Sequence, residues 1–233
     1  MIDLNAEGGI ILLDKPYTWT SFQVVKKVKY SLIHYFGRKI KVGHAGTLDP
    51  LATGLLIICV GKYTKQIPLL QEGDKEYIGQ FTLGAITASY DMEKPVSQAF
   101  STEHITKEKI KECAESFLGV QQQVPPIFSA VKIDGKRAYK LARADQQVEL
   151  KPKDIEIKEF EITNIDMPKV DFRVVCSKGT YIRSLARDFG LALQSGAYLS
   201  ALRRTRIGDM YVKDAISPEE LVQELAQTKI EEI

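Results

Sequence analysis

An aspartate stands in the stretch Gly43-His44-Ala45-Gly46-Thr47-Leu48-Asp49-Pro50-Leu51-Ala52-Thr53-Gly54, among three glycines, a proline, a histidine and two threonines. Gly46 and Gly54 allow backbone conformations closed to other residues, and Pro50 pushes Asp49 toward extended dihedral angles. The acid is therefore not part of a helix surface. A carboxylate presented on a stiff loop beside a histidine suits a nucleophile or a general base. An Asp also caps turns by bonding its own backbone, and the spacing alone leaves both roles open.

Other chemistries find less support. His34, His44 and His104 lie in unrelated contexts, and there is no HxH, CxxC or HExxH pair, so no metal site is expected. The Gly-rich loop lacks a Gly-Lys-Ser/Thr ending, and no nucleophile elbow occurs. Three further segments carry reactive or recognition groups. Lys75-Glu76-Tyr77 opens a strand with a tyrosine whose ring suits a planar ligand, or the core. Ser177-Lys178-Gly179-Thr180-Tyr181-Ile182-Arg183 joins a strand to a helix N-terminus, a favourable place for anions. Arg183 there suits pairing with a carboxylate, which holds the acid ionised, or an ordinary surface role. Gln123-Val124-Pro125-Pro126-Ile127-Phe128-Ser129-Ala130 is a rigid approach to Lys132, Gly135, Arg137 and Tyr139.

The elements that position these groups follow from periodicity. Gly9 to Leu13 reads as a buried strand. Thr20 or Ser21 caps a helix with Phe22, Val25, Val28, Leu32 and Phe36 on its inner face, closed by Gly37. Lys26, Lys27 and Lys29 fall off that face. Leu55 to Val60 is a second buried strand, and Tyr77, Gly79, Phe81 and Leu83 alternate with Ile78, Gln80 and Thr82. Residues 88–103 read as a polar loop, Thr106 to Leu118 as an amphipathic helix, and Asp134-Gly135 as a hairpin turn. Paired strands are expected over residues 155–165 and 171–176, a helix from Ile182, a strand over residues 198–207 and an acidic helix from Pro218. The fold class expected is α+β, with a largely antiparallel sheet.

The 233 residues, 44% hydrophobic, are enough for a sizeable core. No apolar run approaches the roughly 20 residues needed to span a bilayer. Cys59, Cys113 and Cys176 read as buried thiols of a reducing compartment, and a cytoplasmic protein is expected. The net charge of +2 hides an uneven distribution. Between Lys15 and Leu48 there are seven bases and no acid, and Lys132 to Arg143 holds five bases against one acid. Lys178 to Arg206 holds six against one, ending in Arg203-Arg204-Thr205-Arg206, whereas the chain after Ile207 turns acidic. Basic clusters beside Gly-rich or Pro-rich loops point to a polyanion such as nucleic acid.

Taken in order, GGIILLDKP, GHAGTLDPLATGLL, KEYIG, VPPIFSAVKIDGKRAY, KGTYIRSLARD and LRRTRIG closely resemble the TruB family of tRNA pseudouridine synthases, from about Gly9 to Gly208. The resemblance implies the pseudouridine synthase fold, a long, mostly antiparallel mixed sheet flanked by helices. It implies a catalytic domain over residues 1–210 and a short acidic helical tail over residues 211–233, with no PUA domain. By the same resemblance Asp49 is the catalytic aspartate, Arg183 the arginine that pairs with it, and Tyr181 the tyrosine of the site. His44 helps the target base leave its stack, Tyr77 packs on the uracil and Leu202 touches the flipped nucleotide. Lys65, Lys15, Pro16 and Lys132 to Arg143 contact or support the RNA. The implied partner is the T stem-loop of tRNA, with no cofactor, metal or membrane and a monomeric enzyme. Ala144 and Asp145 depart from the family, which usually carries a glycine after the Ala-Arg pair.

Overall fold

The computed structural model describes residues 4, 5, 7–129, 132, 133, 136, 137 and 150–231. In chain order the strands are β1 (Gly8–Lys15), β2 (Val42–Ala45), β3 (Ala52–Gly61), β4 (Lys75–Leu83), β5 (Ala85–Thr87), β6 (Val96–Ala99), β7 (Gly119–Gln123), β8 (Lys132–Ile133), β9 (Lys136–Arg137), β10 (Lys153–Asp166), β11 (Lys169–Cys176), β12 (Ala197–Ile207) and β13 (Met210–Tyr211). The helices are α1 (Ser21–Phe36), α2 (Ile67–Glu72), α3 (Lys107–Ser116), α4 (Ile182–Ala192) and α5 (Pro218–Glu231). The chain forms two compact units, one of residues 1–77 and 202–233, the other of residues 78–201, and β4 and β12 run from one into the other.

In the first unit the strand order is β1-β3-β12, with β2 also on β3 and β13 on β12. β3 pairs antiparallel with β1 and β2 and parallel with β12. Its apolar run is covered on both faces, which is why it shows no alternation. Leu56, Ile58 and Val60 meet α1, α5 and β1 through Val24, Val28, Leu32, Leu221, Leu225, Ile11 and Leu13. Leu55, Ile57 and Cys59 pack on the other side with Ala45 and Ile207. The helical segment from Pro218 is thus part of this core.

Helix α1 begins and ends for local reasons. Thr20 and Gln23 form a capping box, the Gln23 N–H donating to Thr20 Oγ1 at 3.1 Å and the Thr20 N–H to Gln23 Oε1 at 2.7 Å. Gly37 ends the helix in the left-handed conformation at φ 62°. Its inner face differs from the expected one. Val24, Val28 and Leu32, four residues apart, point inward with Ser21, and Phe22 lies 72% exposed. The sequence pattern is broad enough to admit either face, and packing against β1 and β3 selects the valine stripe.

The second unit has the order β12-β4-β11-β10-β7, with β10 antiparallel to both β11 and β7. Its core is aromatic, with the rings of Phe81, Phe160, Phe172, Phe189 and Phe117 in mutual edge or tilted contact. Residues 88–103 are not all loop: β6 within them pairs antiparallel with β5. Strands β8 and β9 pair as expected of a hairpin, but its turn, Asp134-Gly135, lies outside the described residues. The architecture is α+β with the long, mostly antiparallel mixed sheet that the sequence implied. Among the described residues no helix is long and apolar enough to cross a membrane.

Candidate active site

The loop that follows β2 carries Asp49 and is held from three sides in the first unit. Arg204, only 1% exposed, reaches in from β12. Its Nε donates to the carbonyl of Leu55 at 2.8 Å and its Nη2 to that of Gly46 at 3.0 Å, with Nη1 3.5 Å from the Thr47 carbonyl. Ser21, at the start of α1, grips Leu48 twice: its hydroxyl donates to the Leu48 carbonyl at 3.0 Å and accepts the Leu48 N–H at 2.9 Å. Lys15, at the end of β1, donates from Nζ to the carbonyls of Trp19 at 2.6 Å, Pro16 at 3.0 Å and Pro50 at 3.2 Å. The turn is closed by the Ala52 N–H donating to the Asp49 carbonyl at 3.1 Å. Residues 46–50 are therefore fixed through their backbone, which leaves the half-buried Asp49 carboxylate in a set place.

Gly54 is part of the same construction. Its φ is 101°, and a Cβ there would sit 2.2 Å from the Arg204 carbonyl. The close pairing of β3 with β12 at Gly54 and Arg204 thus requires glycine.

Two buried cations, Lys15 and Arg204, set the electrostatics around the loop. Burial lowers the Lys15 pKa from 10.5 to about 8, opposed by the charge of Asp49 and reinforced by Arg204. Burial and then Arg204 lower the pKa of His44, with the Gly46 backbone acting the other way. His44 is therefore neutral at neutral pH, which suits a ring that occupies space better than one that carries charge.

Leu202 pairs with Ala52 in the β12–β3 register, three residues beyond the acid. Tyr77 lies buried in β4, and Lys65 is exposed on a 3-10 helix, Lys62–Gln66. The first unit thus carries His44 on β2, Asp49 on the loop that follows it and Leu202 on β12, opposite the first residue of β3. Lys15, expected to contact or support the RNA, and Arg204, part of one of the basic clusters, both bond backbone carbonyls inside the unit. Arg203, beside Arg204, forms a two-pronged ion pair with Asp14 at 2.5 and 3.0 Å. Much of the Arg203-Arg204-Thr205-Arg206 cluster therefore serves the fold.

Tyr181 and Arg183 belong to the second unit. Tyr181 is the residue before α4, where the buried Gln123 holds its peptide, accepting from its N–H at 2.8 Å and donating to its carbonyl at 3.2 Å. Arg183 is buried, donating to the carbonyls of Phe128 at 2.9 Å and Ser89 at 3.3 Å, with its Nε 3.7 Å from the buried carboxylate of Asp91. Asp91 carries no sequence signal, standing in a polar run that reads as a loop, whereas Gln123 opens the proline-rich segment singled out above. Lys140, Arg143, Ala144 and Asp145 lie outside the described residues.

This architecture is that of the pseudouridine synthases. The chain superposes on Cbf5 in a crystal structure of a Cbf5-Nop10-Gar1 complex with a TM-score of 0.73 at 30% identity, covering 98% of this chain and 57% of that one. A crystal structure of the archaeal box H/ACA sRNP Nop10-Cbf5 complex gives 0.71 at 28% identity, again with 57% of the longer chain covered. The chain spans just over half the length of these two.

The relationship is narrower still in sequence. The family model described as TruB family pseudouridylate synthase (N terminal domain) matches residues 34–182, and that of the tRNA pseudouridylate synthase B C-terminal domain matches residues 183–233. tRNA pseudouridine synthase B of Flavobacterium johnsoniae is 58% identical over 90% of this chain and 93% of its own. That of Phocaeicola vulgatus is 53% identical over 97% of each. The chain belongs to the TruB family of pseudouridylate synthases, which are isomerases.

Proposed function

We propose that this protein converts a uridine in the T loop of tRNA, position 55 by family resemblance, to pseudouridine, acting as a monomer in the cytoplasm. The observation that carries the proposal is the anchoring of residues 46–50 by Arg204, Ser21 and Lys15, which presents the Asp49 carboxylate on a preorganised backbone. The reaction breaks the N1–C1′ bond, turns the uracil and joins C5 to C1′. The C5 proton is lost and N1 gains one, so the atoms balance without an added reactant.

In this reading the target nucleotide leaves its stack at a cost of a few kcal/mol. His44, neutral and set in β2, takes the space the base vacates, while Tyr77 and Leu202 receive the flipped nucleotide. Asp49 acts as an anion, by attack at C1′, by addition to the base or by assisting elimination to a glycal. Arg183 is assigned to keep that carboxylate ionised and Tyr181 to handle the C5 proton. Lys65, exposed, is assigned to the RNA backbone.

The test is tritium release from an unmodified tRNA transcript labelled at C5 of its uridines. Release is expected from the wild-type enzyme without a guide RNA, and is expected to vanish when the T-loop uridine alone is replaced by cytidine. Release that persists after that replacement would overturn the assignment of the T loop.

A further inference from the structure

Among the described residues the exposed large aromatics are Tyr17, Phe22, Tyr30 and Tyr211, so three of the four fall on α1 or the turn just before it. Phe22 is 72% exposed and Tyr30 66%. Between them on the same face, at helical positions i+4 and i+7 from Phe22, stand Lys26 and Lys29, both exposed. The segment from Lys15 to Leu48 contains no acid. A neighbouring lysine shows what the fold does when it neutralises a charge. Lys27, turned to the side of the helix, pairs with Glu219 of α5 at 2.5 Å and lies over the Trp19 ring. For Lys26 and Lys29 no ion pair is seen among the described residues.

This stripe has a fixed relation to the candidate active site. Ser21, at the head of α1, holds Leu48 by two hydrogen bonds, so the first turn of the helix is tied to the residue preceding Asp49. From Phe22 to Tyr30 the face extends about 12 Å along the helix axis, the length of roughly three to four nucleotides of one strand. Alternating aromatic and ammonium groups are the chemistry that binds an RNA strand: the lysines meet phosphates and the rings meet bases or riboses. An apolar protein partner would not call for two uncompensated lysines at the centre of the patch.

We propose that the outer face of α1, formed by Phe22, Lys26, Lys29 and Tyr30, is a docking surface for the substrate RNA, engaging the strand that leads away from the target uridine. The proposal rests on the reading of this protein as an RNA uridine isomerase and extends it to a surface that the chemistry itself does not use.

The experiment is the salt dependence of binding to an unmodified tRNA transcript. Lys26→Ala/Lys29→Ala is expected to weaken binding about tenfold at moderate salt and to lower the slope of log Kd against log salt by about 1.4 to 1.8. Phe22→Ala/Tyr30→Ala is expected to weaken it fivefold or more at an unchanged slope. Lys27→Ala, which removes a lysine already paired, is expected to keep the wild-type slope. Lys26→Gln/Lys29→Gln carries the same test if circular dichroism shows the alanine pair misfolded. A wild-type slope in the lysine variant, whatever its Kd, overturns the proposal and assigns the face to something other than RNA. Tritium release by the wild-type enzyme judges the isomerase reading separately: tRNA binding without release sinks that reading, and the slope still decides the helix.

Discussion

The two units bury cations in contrasting ways. In the first, Arg204 and Lys15 bond backbone carbonyls on and around the Asp49 loop, from Gly46 to Pro50 and at Leu55. In the second, Arg183 bonds the carbonyls of Ser89 and Phe128 but also faces a buried carboxylate, Asp91. Their surroundings differ as well, aliphatic around β3 and aromatic around Phe81 and Phe189. A cation on carbonyls fixes the path of a chain. A cation beside a buried carboxylate makes each charge the condition for the other's burial. The first arrangement suits a loop that must hold an acid still, and its partners are peptide groups that no substitution can remove.

The largest expected effect on stability follows from that last point. Arg204→Met leaves buried carbonyls without donors, each worth roughly 1–3 kcal/mol, and is expected to cost about 4 kcal/mol in a denaturant melt. Because the loop loses its anchor, single-turnover tritium release should fall about a hundredfold as well. Full activity in a destabilised variant would break the link between the anchor and the chemistry.

Arg183→Met should destabilise by about 3 kcal/mol, because Asp91 is left buried without its counter-charge. Here a second substitution can compensate: Arg183→Met/Asp91→Leu is expected to recover most of the stability, though not the activity. A double variant as unstable as the single one would show that the unpaired Asp91 is not what makes the loss of Arg183 costly, and the contrast between the units would disappear.

The smallest effect is read from pH. The folded pKa of Lys15 is lowered to about 8 from 10.5, so between these values the unfolded chain binds more protons than the folded one. Stability contributed by this group therefore rises with pH across that window. Compared with Lys15→Met, the wild-type protein should gain up to about 3 kcal/mol from pH 8 to 10.5 in urea melts. An unchanged difference across the window would mean that burial does not lower the Lys15 pKa.

Much of this was legible in the sequence, for physical reasons. Thr20 and Gly37 mark the ends of α1 because caps are local, and the alternation about Tyr77 marks β4 because one face of it meets the core. The loop at Asp49 stood out through its glycines and proline. What escaped depends on the tertiary fold. Phe22 lies outward because β1 and β3 receive Val24 and Val28 instead. Arg204 and Lys15 look like surface bases in a chain, and only the carbonyls gathered around them make burial possible. Asp91 gives no sign of pairing with a residue 92 positions later.

We propose that Asp49, on a backbone fixed by Arg204, Ser21 and Lys15, carries out the isomerisation. The most direct test is single-turnover tritium release by Asp49→Asn, with tRNA binding measured on the same preparation. The expected rate is at least about a thousandfold below wild type, with a Kd within about threefold of it. A rate within about tenfold of wild type, at equal binding, would contradict the proposal.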